Sequence, residues 1–92
     1  MIKSFRCTET EKVFRREFSR KFQNIHRVAL RKLLMLHAAP SLEALRIPPG
    51  NHLETLQGDR AGECSIRINK QWRICFRMQG ENVHDVEITD YH

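Results

Sequence analysis

The chain has 92 residues, 40% of them hydrophobic and 29% charged, which fits one soluble domain with a modest core and excludes a long disordered or low-complexity protein. The longest apolar run covers only residues 33–36, far too few to span a bilayer, and the charged start of the chain does not resemble a signal peptide. We therefore expect a cytoplasmic protein that does not enter a membrane.

Charge is distributed unevenly along the chain. The net charge is +5, but residues 1–40 carry +7 and residues 41–92 carry −2. A basic half on a small protein indicates a polyanionic partner such as nucleic acid, or an acidic protein, and charge alone does not choose between them. The three cysteines have no paired spacing and the five histidines occur singly, so we expect free thiols and no metal or other cofactor.

The first part of the chain predicts a short strand followed by two helices. Residues 2–5 read as a strand, and Thr8 and Glu11 have the spacing of a capping box that opens a helix over residues 9–18. A broad apolar stripe predicts a second helix over residues 24–38, which packs on both a sheet and the first helix. Two basic helices in tandem could also form a helix-turn-helix DNA-binding unit, but the strands around them favour an α+β layer.

The middle of the chain predicts a helical turn and a further strand. A turn of helix over residues 42–45 stops before two prolines and a glycine. Residues 52–56 then alternate as a strand, and the period of two puts His52 and Glu54 on the same face. A glycine-flanked turn over residues 58–62 leads into the last part of the sheet.

A hairpin and a last strand complete the predicted sheet. Apolar residues alternate with polar ones along both arms of the hairpin, residues 64–68 and 72–77. On the last strand, residues 83–89, the predicted apolar face consists of His84, Val86 and Ile88. The predicted fold is α+β: a small antiparallel β-sheet with two N-terminal α-helices packed on one face, in the order β-α-α-β-β-β(-β).

The register of the hairpin follows from the parity of its residues. A three-residue turn pairs Ile68 with Trp72 and sets Arg67 opposite Arg73, whereas a two-residue turn would mix the apolar and polar faces. Like charges directly opposite each other are destabilising, and a phosphate bound between two guanidinium groups removes that repulsion. Arginine is also a common solvated residue on exposed sheet faces, so the pattern alone leaves both interpretations open.

Three blocks of this sequence resemble a known family. They are residues 58–62 (GDRAG), residues 65–76 (SIRINKQWRICF) and residues 90–92 (DYH). Together they are similar to HigB-type toxins, which belong to the RelE superfamily of bacterial toxin–antitoxin systems. The resemblance covers essentially the whole chain, and its most specific part is the Gly-Asp-Arg to Trp-Arg-Ile block combined with the terminal Tyr-His.

The resemblance implies a ribosome-dependent mRNA endoribonuclease. Such toxins enter the A site of the 70S ribosome and cut the mRNA codon there. A HigA-type antitoxin with a helix-turn-helix domain neutralises them, so the toxin meets operator DNA only indirectly through the antitoxin. The family fold, a small antiparallel sheet with helices on one face, agrees with the elements predicted from the residues.

Metal-free RNA cleavage assigns roles to several residues. The 2′-hydroxyl must lose a proton, the phosphorane charge must be stabilised, and the 5′-oxygen must gain a proton. Arg73, with Arg67 opposite, is placed to stabilise that charge. His92 is the predicted general acid, because histidine titrates near neutrality and the terminal carboxylate favours its charged form, although a frayed chain end is the alternative. Tyr91 could stack on a base, and Asp90 could orient His92.

The general base stays open at this stage. Many relatives read His-x-Leu-x-Gly-Asp-Arg before the hairpin, and this chain has Glu54 where they have the histidine. His52 lies two residues earlier on the same predicted face, so either side chain could act. Glutamate is the weaker base at neutral pH. A toxin with reduced potency, or a degenerate one, is therefore an alternative.

The remaining predicted RNA-binding residues are basic, and phosphate contacts are the chemistry they offer. They are Arg67, Arg60, Lys70, Lys21 and Arg20. A solvated protein surface is the alternative role for each of them. A function of a different class also remains: a basic module that binds RNA, the ribosome or a protein partner without catalysis.

Overall fold

Two α-helices and a four-stranded antiparallel sheet form the protein in the computed structural model, which describes residues 1–90. Helix α1 covers Thr8–Phe14 and α2 covers His26–Ala38. The sheet order is β1-β2-β3-β4, formed by Glu54–Thr55, Cys64–Arg67, Trp72–Gln79 and Asn82–Asp90. The α+β prediction is confirmed. None of the helices in residues 1–90 is long and apolar enough to cross a membrane.

Both helices pack on one face of the sheet, as the apolar stripes predict. Val13 of α1 and Leu33 of α2 are fully buried in one cluster with Ile66 of β2 and Ile74 of β3. Each such aliphatic side chain stabilises the fold by roughly 1.5–3 kcal/mol when it is removed from water. The apolar faces of the two helices and the apolar face of the sheet therefore pack into a single core.

Helix α1 differs from its prediction at both ends. Cys7 is the N-cap residue and no side chain caps the helix, so the predicted capping box of Thr8 and Glu11 does not form. The helix ends at Phe14 rather than at residue 18, because Arg16 adopts a left-handed conformation with φ 61°. Helix α2 starts two residues later than predicted and ends where it was expected.

The N-terminal segment lies beside β4 but does not form a full strand. Ile2 and Phe5 make isolated parallel bridges with Val83 and Val86. The backbone N–H of Lys3 donates to the Val83 carbonyl at 2.7 Å. The predicted strand over residues 2–5 is thus reduced to two bridges, which add a short parallel edge to an otherwise antiparallel sheet.

A bulge in β4 corrects the predicted apolar face of that strand. The register shifts between Cys75 and Arg77 of β3, where Asp85 of β4 has a φ of 56°. Because the shift inserts one residue, Val83 turns toward the core with no exposed surface, and His84 pairs with Arg77 on the other face. The assignment of His84 to the apolar face was wrong, since strict alternation does not foresee a bulge.

Candidate functional site

A cleft of about 320 Å³ opens on the sheet face opposite the helices. It is lined by six polar residues: His52, Glu54, Arg67, Asn69, Lys70 and Arg73. Five of these six were singled out from the sequence as catalytic or RNA-binding candidates. The fold therefore gathers residues from the β1 region and from both arms of the hairpin into one concave surface.

The hairpin forms in the predicted register. Arg67 of β2 lies directly opposite Arg73 of β3, and Ile66 lies opposite Ile74 on the core face. The turn is closed by Asn69, whose side-chain oxygen accepts hydrogen bonds from the backbone N–H groups of Gln71 and Trp72, both at 2.8 Å. This side-chain cap fixes the three-residue turn, and the turn length decides which residues meet across the strands.

Arg73 is held in a fixed orientation beneath the cleft. Its Nε donates to the Ser65 hydroxyl at 2.8 Å, and its Nη2 donates to the Ser65 carbonyl at 3.2 Å and to the His52 carbonyl. The residue is only 7% exposed. Arg67 is partly buried and its guanidinium makes no ion pair within residues 1–90. Arg73 is thus fixed by hydrogen bonds within the protein, and Arg67 faces the cleft.

His52 and Glu54 reach the cleft by a route that the sequence did not predict. Strand β1 consists of Glu54–Thr55 alone, so the predicted strand over residues 52–56 was too long. His52 instead follows the 3₁₀ helix Pro49–Asn51 in a left-handed conformation, with φ 44° and ψ 56°. Both side chains nevertheless line the cleft, and Glu54 Oε2 lies 4.0 Å from Arg73 Nη2.

Strand β4 brings Asp90 toward this region. Asp90 pairs with Trp72, the neighbour of Arg73, and Asp90 Oδ2 accepts a hydrogen bond from Gln71 Nε2 at 3.1 Å. Thr89 pairs with Arg73 itself. The predicted catalytic residues Tyr91 and His92 lie outside the described residues, so their assignment stays a prediction.

Arg60 lies in an ion cluster rather than in the cleft. Its Nη1 is 3.0 Å from Glu63 Oε1 and its Nη2 is 2.9 Å from Glu87 Oε1. The hydrogen bond that Arg60 donates to the Glu87 carboxylate is the main cause of the raised Arg60 pKa. The two carboxylates therefore balance the charge of Arg60 within the protein. An RNA phosphate would have to compete with them for the Arg60 guanidinium if the predicted RNA contact is to form.

The basic residues between the two helices lie near the first residues of β3. Arg20 and Lys21 are both exposed. The Lys21 ammonium lies 5.4 Å from the ring centre of Phe22, and that ring contacts Trp72 edge-on at 5.4 Å between centroids. The fold therefore brings Lys21 to the end of the sheet where Arg73 and Asp90 lie, although not into the cleft itself.

The charge of the cleft favours an anionic ligand. Arg67, Lys70 and Arg73 face the single carboxylate of Glu54. Guanidinium and ammonium groups donate hydrogen bonds to phosphate oxygens with a strength about twice that of neutral pairs. Within residues 1–90, no group of three or more His, Cys, Asp or Glu side chains is arranged to hold a metal ion. The arrangement can bind a phosphate and can hold its charge during a reaction.

Two contributors to the site were missed by sequence reasoning. Asn69 was read only as a turn residue, but it also lines the cleft. Ser65 was given no role of its own, but it is fully buried and its hydroxyl accepts a hydrogen bond from the Arg73 Nε–H. An asparagine at the first position of a short hairpin turn is the one local signal that could have indicated the first role.

Comparison with known proteins places this geometry in context. Residues 3–92 match the family model described as the RelE-like toxin of type II toxin–antitoxin system HigB. Toxin HigB-1 of Vibrio cholerae is 50% identical over 54 residues, which span 59% of this chain and 57% of that protein. An uncharacterized protein of Haemophilus influenzae is 38% identical over 68 residues, 74% of this chain and 67% of its own length.

Solved structures with little sequence identity share the fold. YafQ of Escherichia coli has a TM-score of 0.64 at 10% identity, with 98% of this chain and 91% of that chain covered. A chain of the heterotetrameric YoeB–YefM toxin–antitoxin complex of Staphylococcus aureus has a TM-score of 0.58 at 16% identity, with 100% of this chain and 98% of that chain covered. At such identities the likeness extends to the fold alone.

Proposed function

Since the chain belongs to the RelE-like HigB toxins of type II toxin–antitoxin systems, we propose that it cuts mRNA codons in the A site of the ribosome without a metal ion. The observation that carries the proposal is the cleft in which Arg67 and Arg73 lie opposite each other beside His52 and Glu54. A paired guanidinium site next to two groups that can exchange protons has the composition that phosphodiester cleavage needs.

The arginines stabilise the negative charge that develops on the non-bridging oxygens of the phosphorane. Arg73 is already oriented by Ser65 and by the His52 carbonyl, so little reorganisation accompanies the reaction. An oriented donor of this kind contributes on the order of 10²–10³ to the rate. Arg67 and Lys70 supply further positive charge to hold the scissile phosphate.

Proton transfer completes the reaction. Glu54 or His52 removes the proton of the 2′-hydroxyl, and the oxygen attacks the adjacent phosphorus as the bond to the 5′-oxygen breaks. His92 donates a proton to that leaving oxygen, with Asp90 orienting the imidazole and Tyr91 stacking on a base. The products are a 2′,3′-cyclic phosphate and a 5′-hydroxyl.

A cognate HigA-type antitoxin with a helix-turn-helix domain is the proposed partner that neutralises the toxin. The family assignment supports a partner of this class. Operator DNA would then be contacted through the antitoxin. The exposed Arg20 and Lys21 are proposed to bind ribosomal RNA phosphates, with an affinity that falls as salt rises.

The test is primer extension on mRNA in a purified translation system, with and without ribosomes. The wild type should cut within A-site codons only when ribosomes are present. Arg73→Ala should lower the cleavage rate by about 10²–10³. Deletion of His92 should abolish cleavage while the protein still folds and still copurifies with its antitoxin.

The controls separate chemistry from charge. Arg46→Ala removes an exposed arginine of an i,i+3 ion pair outside the cleft and should cut like the wild type. A 5′-hydroxyl on the downstream fragment, which a kinase can phosphorylate directly, supports the 2′-hydroxyl route. If the wild type binds ribosomes but leaves every message intact, the protein is a binding module instead.

A further inference from the structure

A buried ammonium group lies on the helix layer, away from the cleft. Lys32 of α2 is only 7% exposed, and burial lowers the pKa of its side chain. Its Nζ donates to the side-chain oxygen of Asn51. No carboxylate within residues 1–90 forms an ion pair with Lys32, so burial of its ammonium group costs stability and the contact with Asn51 is not explained as a stabilising one.

Asn51 connects Lys32 to the segment 45–51, which precedes His52. It has no exposed surface, and its Nδ2 donates to the Leu45 carbonyl at 3.0 Å and to the Ile47 carbonyl at 3.4 Å. Its backbone N–H donates to the Pro48 carbonyl at 2.9 Å. One side chain therefore holds the segment 45–51 against α2 from several directions.

The next residue belongs to the cleft. His52 adopts φ 44° and ψ 56°, a left-handed conformation that costs a non-glycine residue about 1–2 kcal/mol. Its carbonyl accepts from Arg73 Nη2 and its side chain lines the cleft. An unfavourable backbone conformation persists only when the surrounding structure imposes it, and Asn51 is the anchored neighbour.

We propose that Lys32 and Asn51 are positioning residues for the cleavage cleft, which act by fixing the His52 carbonyl and through it the guanidinium of Arg73. The contacts run without interruption from Lys32 Nζ to Asn51, along one peptide bond to His52, and from its carbonyl to Arg73 Nη2. Neither residue touches the reacting atoms. The effect on cleavage rests on the proposed function, whereas the effect on Arg73 does not.

The first test measures Arg73 in the free protein. In the wild type the Arg73 Nη2–H that donates to the His52 carbonyl should exchange slowly with solvent, as followed by ¹⁵N NMR. Lys32→Met keeps the aliphatic stem, removes the buried charge and should fold, but the Arg73 Nη2–H should exchange about tenfold faster. Asn51→Asp, which loses the donors to the Leu45 and Ile47 carbonyls, should have the same effect. Unchanged exchange in both variants would overturn the proposal.

Ser4→Ala is the matched control for these variants. It removes the 2.9 Å hydrogen bond that the Asp85 N–H donates to the Ser4 hydroxyl. This bond joins the N-terminal segment to the β4 bulge, away from Lys32 and Asn51. Its Arg73 Nη2–H should exchange as in the wild type. Acceleration in this variant as well would mean that any loss of stability mobilises the arginine, and the proposal would fail.

The second test is a double-mutant cycle on cleavage. Lys32→Met should lower the single-turnover cleavage rate on ribosomes by about tenfold or more, with ribosome affinity unchanged. In an Arg73→Ala background it should lower the rate no further, because it acts through that arginine. An additive loss would overturn the proposal. If the wild type does not cut at all, the proposed function fails, and the exchange measurement still decides the positioning role.

Discussion

The buried thiols illustrate how single residues respond to the fold. Cys75 alternates with the core residues Ile74 and Phe76 along β3 and so belongs to the other sheet face, yet it has no exposed surface, and it pairs with Glu87 of the ion cluster. Cys64 is 8% exposed and Cys7 is partly exposed. Burial raises the pKa of both the Cys64 and the Cys75 thiol.

Alkylation should therefore distinguish the three cysteines. With iodoacetamide at neutral pH, Cys7 should react first, and Cys64 and Cys75 should react only at the rate of unfolding, because the thiolate is the nucleophile and burial disfavours it. Mass spectrometry of tryptic peptides during a urea titration measures this order. Early labelling of Cys75 under native conditions would contradict its burial.

The same thiols predict how stability depends on pH. A group whose pKa is raised in the folded state contributes stability below its unfolded pKa, about 8.5 for cysteine, and that contribution is lost as the pH rises through the folded value. The free energy of unfolding should therefore fall above about pH 8.5. Urea melts of the wild type and Cys75→Ala should show a shallower alkaline fall in the variant, and equal slopes would refute the assignment.

Helix α1 shows why the end of an element can be hidden from sequence reasoning. The Arg16 N–H donates to the Val13 carbonyl at 3.0 Å and the Glu17 N–H donates to the Lys12 carbonyl at 2.8 Å. Together with the left-handed Arg16, these two bonds make a Schellman motif. Glycine usually marks that position, and an arginine there carries no local signal of a helix end.

Replacement of that arginine by glycine should stabilise the protein. Arg16→Gly removes a left-handed strain of about 1–2 kcal/mol and adds unfolded-state entropy worth about 0.5–1 kcal/mol, so the net gain should be about 0.5–1 kcal/mol. Thermal melting should show a rise of a few degrees. Arg20→Gly, an exposed position in the same connection whose φ is not positive, should be neutral or destabilising. A lower melting temperature for Arg16→Gly would contradict this.

A six-residue ion cluster joins distant parts of the chain on the open face of the sheet. Its centre is Glu63, which is 3% exposed and lies 3.4 Å from Arg6, 3.0 Å from Arg60 and 3.8 Å from Arg77. Asp85 and Glu87 supply the remaining negative charge. The cluster links the N-terminal segment, the approach to β2, and strands β3 and β4.

Removal of the central carboxylate charge should therefore destabilise the fold. Glu63→Gln leaves three arginines around a neutral amide and should lower the free energy of unfolding by about 1–3 kcal/mol, less than for a fully buried pair because the arginines can reach water. Glu43→Gln, whose ion pair with Arg46 is exposed, should change it by less than about 1 kcal/mol. Urea denaturation of both variants measures the difference, and equal effects would show that the cluster contributes little.

Local patterns determined much of this protein. The alternation of residues 64–77 predicts the hairpin, its register and the pairing of Arg67 with Arg73, because a three-residue turn keeps the apolar face intact and a two-residue turn would not. The helical stripe over residues 24–38 likewise predicts α2 to within two residues. The GDRAG and hairpin motifs together with the terminal DYH indicated the family that the family model then matched over residues 3–92.

Only the tertiary structure decided what surrounds Arg73. The left-handed His52, the Lys32–Asn51 contact and the bulge at Asp85 each depend on groups far apart in the chain. A hydrophobic period of 2 or of 3.6 residues predicts which side of a strand or helix is buried. It does not predict which distant polar group will form a hydrogen bond with a buried polar group. The sequence by itself therefore determined the family, the hairpin and the arginine pair, and long-range contacts decided how Arg73 is held.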